Sequence, residues 1–380
     1  MKLGGIVDGR IYASVGRSIL GEREGGEGFE RVGRVPNPER GRRRPVYGLT
    51  TDRRGRALLS PVVGRFPSLT LFPITADLLF AASWRWLFVS RDGGRSWAVS
   101  RELPPSSGPK GLLPTGLCHH EGDVYLGEYP LAIDTVPRVL RSEDEGRSWE
   151  TALSLPDVRH VHAVRADPYT GDLWITTGDT DRESRIGRLR GGSFEVVGSG
   201  SQRWRAVDLA FTPESVLWGM DSVYAERNLL FRLDRDALSE GRPEVVHAVD
   251  GSVFYATTVE TGGERWAVFS TSAESGPDST APPEERGTTA TDRVRVVAAS
   301  DANEYTEWTE VVSYGRRRAL VDRVNPGGLA PSAGAYVYLD ADRERGVVLN
   351  PYNTDRDDGR LLRLPVDPAR SGLACAVLAA

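Results

Sequence analysis

The stretch Ser142–Pro156, SEDEGRSWETALSLP, has two further copies upstream. Ser90–Pro104 reads SRDGGRSWAVSRELP, and Glu22–Pro36 reads EREGGEGFERVGRVP. In register, all three have an acidic residue at the third position, Gly at the fifth, an aromatic at the eighth and Pro at the fifteenth. A chain that repeats a motif folds as stacked copies of one supersecondary unit, because a single copy cannot bury its own apolar face.

The spacing has a local reason. A short acidic side chain accepts hydrogen bonds from backbone N–H groups of its own turn, and Gly supplies a positive φ. The Trp opens the outgoing strand and packs its ring between neighbouring sheets. The shared core, Ser-x-Asp-x-Gly-x-x-Trp, resembles the Asp-box, or BNR repeat, of sialidase-type β-propellers. It stands at Ser90, Asp92, Gly94 and Trp97, and again at Ser142, Asp144, Gly146 and Trp149. The first copy departs from it, with Glu22, Glu24 and Phe29 at the Ser, Asp and Trp positions. These boxes are read as structural staples, not as catalytic groups.

The rest of the chain agrees with an all-β class. Short alternating apolar segments are separated by Gly, Pro and Asp, with no long amphipathic helix. The resemblance therefore implies a single propeller domain over residues 1–380, built from four-stranded antiparallel blades. Seven blades are favoured and six are the alternative. Residues 37–65, with Arg40, Arg42, Arg43 and Arg44, fit no strand pattern and read as an insertion. Residues 271–292 read as a mobile polar loop. Blade one is assembled from Arg10–Val15, Ser18–Glu22 and Phe29–Val35. The seventh unit is assembled from Ala319–Val324, Ala335–Leu339, Gly346–Asn350 and Leu361–Pro365. The apolar tail Leu373–Leu378 is expected to add a strand to the N-terminal blade and close the ring.

Bulk properties exclude several functions. A net charge of −5 over 380 residues argues against a nucleic-acid binder. No apolar stretch reaches the ~18 residues of a membrane span. With no signal peptide evident at Met1, a cytoplasmic protein is expected. Cys118 and Cys375 are the only cysteines, so no disulfide framework is visible. Lys2 and Lys110 are the only lysines, every other cation being Arg. The skew fits a biased genome, and it also fits bidentate recognition of acidic groups.

In a propeller the inter-blade links and the loops between second and third strands converge at one mouth of the central channel. Blades three to five are the richest there. Arg159, His160 and His162 come from one link. Asp179, Asp181, Glu183 and Arg185 come from the loop TTGDTDRESR. Trp204, Arg205 and Asp208 come from the next link, Asp221 and Tyr224 from blade five, and Glu128 from blade three. Carboxylates accept from sugar hydroxyls, aromatics stack on ring faces and Arg pairs with acids, which suits a polar or acidic glycan. Asp179, Asp181, Glu128 and Asp221 are the candidate acid/base carboxylates should the site hydrolyse. No cofactor is expected; His160 and His162 lie on one strand face, where a metal ion has two donors but no further ligand at diagnostic spacing.

Sialidase chemistry is not expected. Within the superfamily it uses three Arg on the substrate carboxylate, a Glu-activated Tyr nucleophile and an Arg-Ile-Pro signature. Here the nearest match is Arg34-Val35-Pro36, whose Pro belongs to the repeat. The reading is thus a glycan-recognising propeller, with a non-sialidase glycoside hydrolase as one alternative. A protein-interaction scaffold, with a protein partner on the rim and the Arg-rich insertion, is the other.

Overall fold

The computed structural model describes residues 1–26, 28–59, 68–104, 112–132, 134–222, 225–273, 291–317, 334–364 and 376–377. Its strands form seven four-stranded antiparallel sheets, each taken up in chain order. This is a seven-bladed β-propeller, the favoured blade number. Contacts divide the chain into two compact units, Met1–His160 with two later segments, and Val161–Arg317 with Gly334–Leu378.

The first unit contains the first three blades. Blade one is β1 (Lys2–Val7), β2 (Arg10–Val15), β3 (Ser18–Glu22) and β4 (Phe29–Arg34). It is followed by two helices, α1 (Arg43–Thr51) and α2 (Arg53–Leu59), inside the Arg-rich insertion. Blade two is β5 (Thr70–Pro73), β6 (Leu79–Ser83), β7 (Trp86–Ser90) and β8 (Ala98–Glu102). Blade three is β9 (Leu117–His120), β10 (Asp123–Gly127), β11 (Arg138–Ser142) and β12 (Glu150–Ser154).

The second unit holds four blades. Blade four is β13 (His160–Ala166), β14 (Leu173–Gly178), β15 (Arg185–Arg190) and β16 (Ser193–Ser199). The unit boundary falls just after the first residue of β13. Blade five is β17 (Leu209–Phe211), β18 (Ser215–Gly219), β19 (Asn228–Asp234) and β20 (Glu244–Val249). Blade six is β21 (Val253–Thr261), β22 (Glu264–Thr271), β23 (Arg293–Ser300) and β24 (Thr309–Gly315). Blade seven is β25 (Tyr336–Asp342), β26 (Gly346–Tyr352), β27 (Leu362–Leu364) and β28 (Ala376–Val377).

Two expectations are corrected at the chain ends. Blade one takes its first strand from Lys2–Val7, which pairs with β2. The tail does not join that blade: β28 pairs with β27, Leu362 opposite Val377. Of the segment expected as the second strand of blade seven, Tyr336–Leu339 thus lies in the first strand, and Ala335 bridges Ala273 outside it. Ala319–Val324 lies outside the described residues, as do 274–290 of the loop expected to be mobile.

Burial follows strand position. Every residue of β6, β14 and β18 is buried, because a second strand has neighbours on both edges and both faces. Fourth strands such as β8 and β12 are mostly exposed and polar. Each fully buried Leu, Ile or Phe contributes roughly 1.5–3 kcal/mol relative to an exposed one. In the first unit, Phe80, Leu87, Leu126 and Leu140 anchor one cluster and Tyr12, Ile19, Leu79 and Phe88 another. The second unit has its own clusters, among them one around Trp174, Trp218 and Phe231.

The repeated hairpins do what their spacing requires. Ser90 Oγ donates to Asp92 Oδ1 at 2.8 Å and accepts from the Gly94 N–H at 2.8 Å. Asp92 also accepts from the Ser96 N–H at 2.9 Å. The same bonds recur at Ser142, Asp144, Gly146 and Ser148, with 2.9, 2.7 and 2.8 Å. Gly94 and Gly146 take φ of 91° and 78°. Hydrogen bonding from the Ser96 hydroxyl, then its N–H, holds the Asp92 carboxyl down at about 2, against an ordinary 3.8. The ring placement needs a smaller correction: Trp97 and Trp149 are half-buried and pack against the clusters from their edges. In blade six, Trp308 Nε1 donates to Tyr305 O at 2.7 Å, as Trp97 Nε1 does to Gly94 O at 2.8 Å.

Candidate functional site

The expected site residues separate into those held together at the end of blade four and those used elsewhere. Strand β14 ends at Gly178, and that residue is glycine for a steric reason. A Cβ there would lie 2.5 Å from His162 Cε1 and 3.2 Å from Arg205 Cγ, so only glycine lets both side chains close over the strand. The chain then turns through Thr180–Glu183, with the Ser184 N–H donating to Thr180 O at 2.9 Å.

That turn leaves Asp179 directed at a cation. Arg205 Nη2 lies 3.2 Å from Asp179 Oδ1 and 3.3 Å from Asp221 Oδ2. Arg205 Nη1 also donates to Asp179 O at 3.0 Å. The third neighbour is His162, with Nε2 3.5 Å from Asp179 Oδ1 and Nδ1 3.2 Å from Ala206 O. The side chains of Arg205, Asp179 and Asp221 are each at most 14% exposed. Two carboxylates flanking one guanidinium this deeply need that pairing, since an unpaired buried charge costs several kcal/mol.

Gln202 completes the cluster and was not legible as a site residue. Its Nε2 donates to Asp179 O at 3.1 Å and to Oδ1 of the exposed Asp181 at 3.0 Å. It lies in a 3-10 turn, Gln202–Trp204, that carries Arg205 into place. An isolated Gln in a link carries no sequence signal. The two carboxylates, the guanidinium, the imidazole and Gln202 form a largely buried cluster, rich in acceptors with one fixed donor fork, that reaches the surface at Asp181.

Other expected residues have different employment. Trp204 is core: its ring stacks on Trp218 with centroids 5.3 Å apart. Gly198 makes room for it, since a Cβ there would sit 2.1 Å from Trp204 Cζ2. Glu183 serves its own turn, accepting from the Thr180 N–H at 3.0 Å and the Thr180 hydroxyl at 2.8 Å. Asp208 is buried and paired with Arg165 through bonds of 2.8 and 3.0 Å, and it accepts from the Ala256 N–H at 3.0 Å. Arg185 sits in β15 opposite Thr177 and Ser199.

In the first unit, Glu128 is clamped by Arg138 with bonds of 2.9 and 2.8 Å. His160 stacks on Tyr129 with ring centroids 3.8 Å apart and meets Pro130 O at 3.3 Å. Arg159 precedes it, half-buried. Tyr224 lies outside the described residues.

Sequence reading also passed over a ring ladder in the second unit. Phe254 stacks on Tyr336 at 5.3 Å, Tyr336 on Tyr352 at 6.3 Å, and Tyr255 meets Tyr338 at 5.0 Å. Phe254, Tyr336, Tyr338 and Tyr352 keep part of their surface exposed. The alternation Tyr336-x-Tyr338, which puts both rings on one strand face, was the available signal.

Comparison with known proteins adds the fold alone. No protein family matches the sequence, and no curated protein resembles it. Among solved structures, the chain is similar to an ancestral GH74 enzyme, at 11% identity with a TM-score of 0.54. It is similar to a puromycin-hydrolysing peptidase of Mycobacterium tuberculosis, at 11% identity with a TM-score of 0.53. Each similarity covers 99% of this chain, but only 46% and 53% of the respective neighbours. Among the described residues, no helix is long and apolar enough to cross a membrane.

Proposed function

We propose that this protein recognises a polar or acidic carbohydrate with the Asp179–Arg205–Asp221 cluster of blades four and five, without cleaving it. The observation carrying this reading is that both carboxylates are held by the same nitrogen of Arg205. The guanidinium fixes them as acceptors for sugar hydroxyls, and Gln202 extends the row to Asp181 at the surface. Ionised acceptors held by a buried cation make strong, oriented hydrogen bonds to neutral donors.

Hydrolysis is the second reading. With both oxygens bound to one nitrogen, their separation cannot exceed the two ion-pair distances laid end to end. That bound applies to the two nearest oxygens, and it fits either a retaining or an inverting spacing of the carboxyl groups. Against hydrolysis, Arg205 occupies the space between the carboxylates where the scissile bond would have to lie.

The test is a glycan-array screen of the purified protein, with reducing-end release assayed on every hit. Binding without release, at least tenfold weaker in Asp181→Ala and in Gln202→Ala, is the expected result. Release that disappears in Asp179→Asn would establish a hydrolase instead. Silence on every glycan would discard both readings in favour of a protein-binding scaffold.

A further inference from the structure

We infer that the cleft between blade one and the helical insertion binds a small polyanion. Its volume is about 590 Å³, and it is lined by Val15, Arg17, Leu20, Arg31, Arg34 and Arg54, together with Ser18 and Asp52. That size falls within the range of roughly 300–1,000 Å³ typical of small-molecule sites.

The arginines converge for a structural reason. Arg31 and Arg34 are three apart in β4, a spacing that would point them to opposite faces of a regular strand. A bulge intervenes: Ile19 pairs with Gly33 but Leu20 pairs with Arg31, leaving Val32 as the extra residue. The bulge re-aims Arg31 so that both guanidinium groups line the same cleft. Arg17 enters from the β2–β3 turn, and Arg54 from α2.

Their charge is undercompensated. Four guanidinium groups line the cleft with one carboxylate, Asp52, which Arg34 binds at 2.7 Å. Among the described residues, Arg17, Arg31 and Arg54 have no side-chain ion pair. Arg17 Nη1 donates to Val35 O at 3.2 Å, but its Nε is buried with no acceptor. Burial, and then repulsion from Arg34, lowers the affinity of Arg17 for its proton. A buried N–H without an acceptor is a standing cost that an oxyanion would remove.

The planar forks suit phosphate or carboxylate oxygens, and three uncompensated positive charges suit a molecule carrying at least two such groups. The occupant is therefore a free, multiply charged metabolite, not a single acidic side chain. The site lies in the first unit and stands independently of the carbohydrate reading.

Isothermal titration of the full chain with inorganic pyrophosphate and with citrate tests this. At least one should bind saturably at one site, tenfold or more weakly in Arg54→Gln and in Arg17→Gln. Binding should be unchanged in Arg40→Gln/Arg42→Gln, which removes exposed charges of the same insertion outside the cleft, and in Asp181→Ala. Arg54→Gln, whose side chain is exposed, keeps the test decisive if Arg17→Gln folds poorly. The inference is overturned if neither anion binds, or if the Arg40/Arg42 variant loses as much affinity as the cleft variants. Saturable binding of a hexaglutamate peptide but neither small anion would also overturn it, by assigning the cleft to a protein partner.

Discussion

Trp149 Nε1 donates to Ser100 Oγ at 2.9 Å, so the repeated hairpin of blade three is fastened to the outer strand of blade two. Ser100 passes the bond on, donating to Gly146 O at 2.6 Å. The Phe80 ring meets Trp149 edge-on at 6.1 Å.

The first prediction concerns this fastening. Ser100→Ala orphans an indole N–H and a carbonyl, and should cost about 1–2 kcal/mol in urea denaturation. Trp149→Ala removes a half-buried ring as well and should cost about 2–3 kcal/mol, less than a fully buried Trp. Because both changes break one bond, the double variant should lose less than the two losses added together. Strict additivity would show that the bond carries no stability.

Asp208 gives the second. Its carboxylate holds Arg165 and two backbone N–H groups, those of Leu209 and Ala256. Asp208→Ala should destabilise the fold by about 3 kcal/mol, measured by the denaturation midpoint, because it strands a charge and two donors. A stable variant that had lost ligand binding would return Asp208 to the site.

The third follows from the acidity of the repeated hairpins. Asp92 is held at about 2 by the Ser96 hydroxyl and N–H, below its ordinary 3.8. Asp144 is lowered likewise by Ser148. A depressed carboxyl stabilises the fold fully above its unfolded value, and that stability is lost as pH falls through the folded value. The denaturation midpoint should therefore drop between about pH 4 and pH 2, and Asp92→Asn/Asp144→Asn should flatten part of that drop. An unaltered slope would mean that other carboxylates dominate acid unfolding.

Gly178 supplies the fourth. Gly178→Ala puts a methyl 2.5 Å from His162 Cε1 and displaces the imidazole from Asp179. Overpacking of this kind should cost about 1–3 kcal/mol and, under the proposed carbohydrate reading, weaken glycan binding at least tenfold. Full affinity in a folded variant would remove His162 from the site.

The blades were legible because second strands have largely apolar centres and the turns between strands use Gly and Asp. Lys2–Val7 was not, since KLGGIV pairs two glycines where a strand ordinarily keeps side chains. Gly4 is there because a Cβ would meet Leu71 Cδ2 at 2.7 Å, a contact with blade two that no local pattern encodes. Similarly, that Asp179, Arg205 and Asp221 meet was readable from the loops that carry them. Trp204 was misread because an aromatic beside Arg looks the same whether its ring turns outward or inward. Only Gly198, on the facing strand, decides the matter. Glu183 was ambiguous for the reason that a carboxylate three residues after Thr180 caps a turn as readily as it meets a ligand.

The fastening between blades also bears on how such a chain can be cut and rejoined. Half of each joint belongs to the preceding copy: Gly33 of β4 lies where a Cβ would be 2.0 Å from Gly94 O, and Ser100 of β8 receives Trp149. A copy excised at its blade borders would leave behind the groove that its own hairpin fills, and keep one shaped for its successor. The modular unit for duplication or grafting therefore runs from one outer strand through the next hairpin, offset by a strand from the sheet seen in the fold.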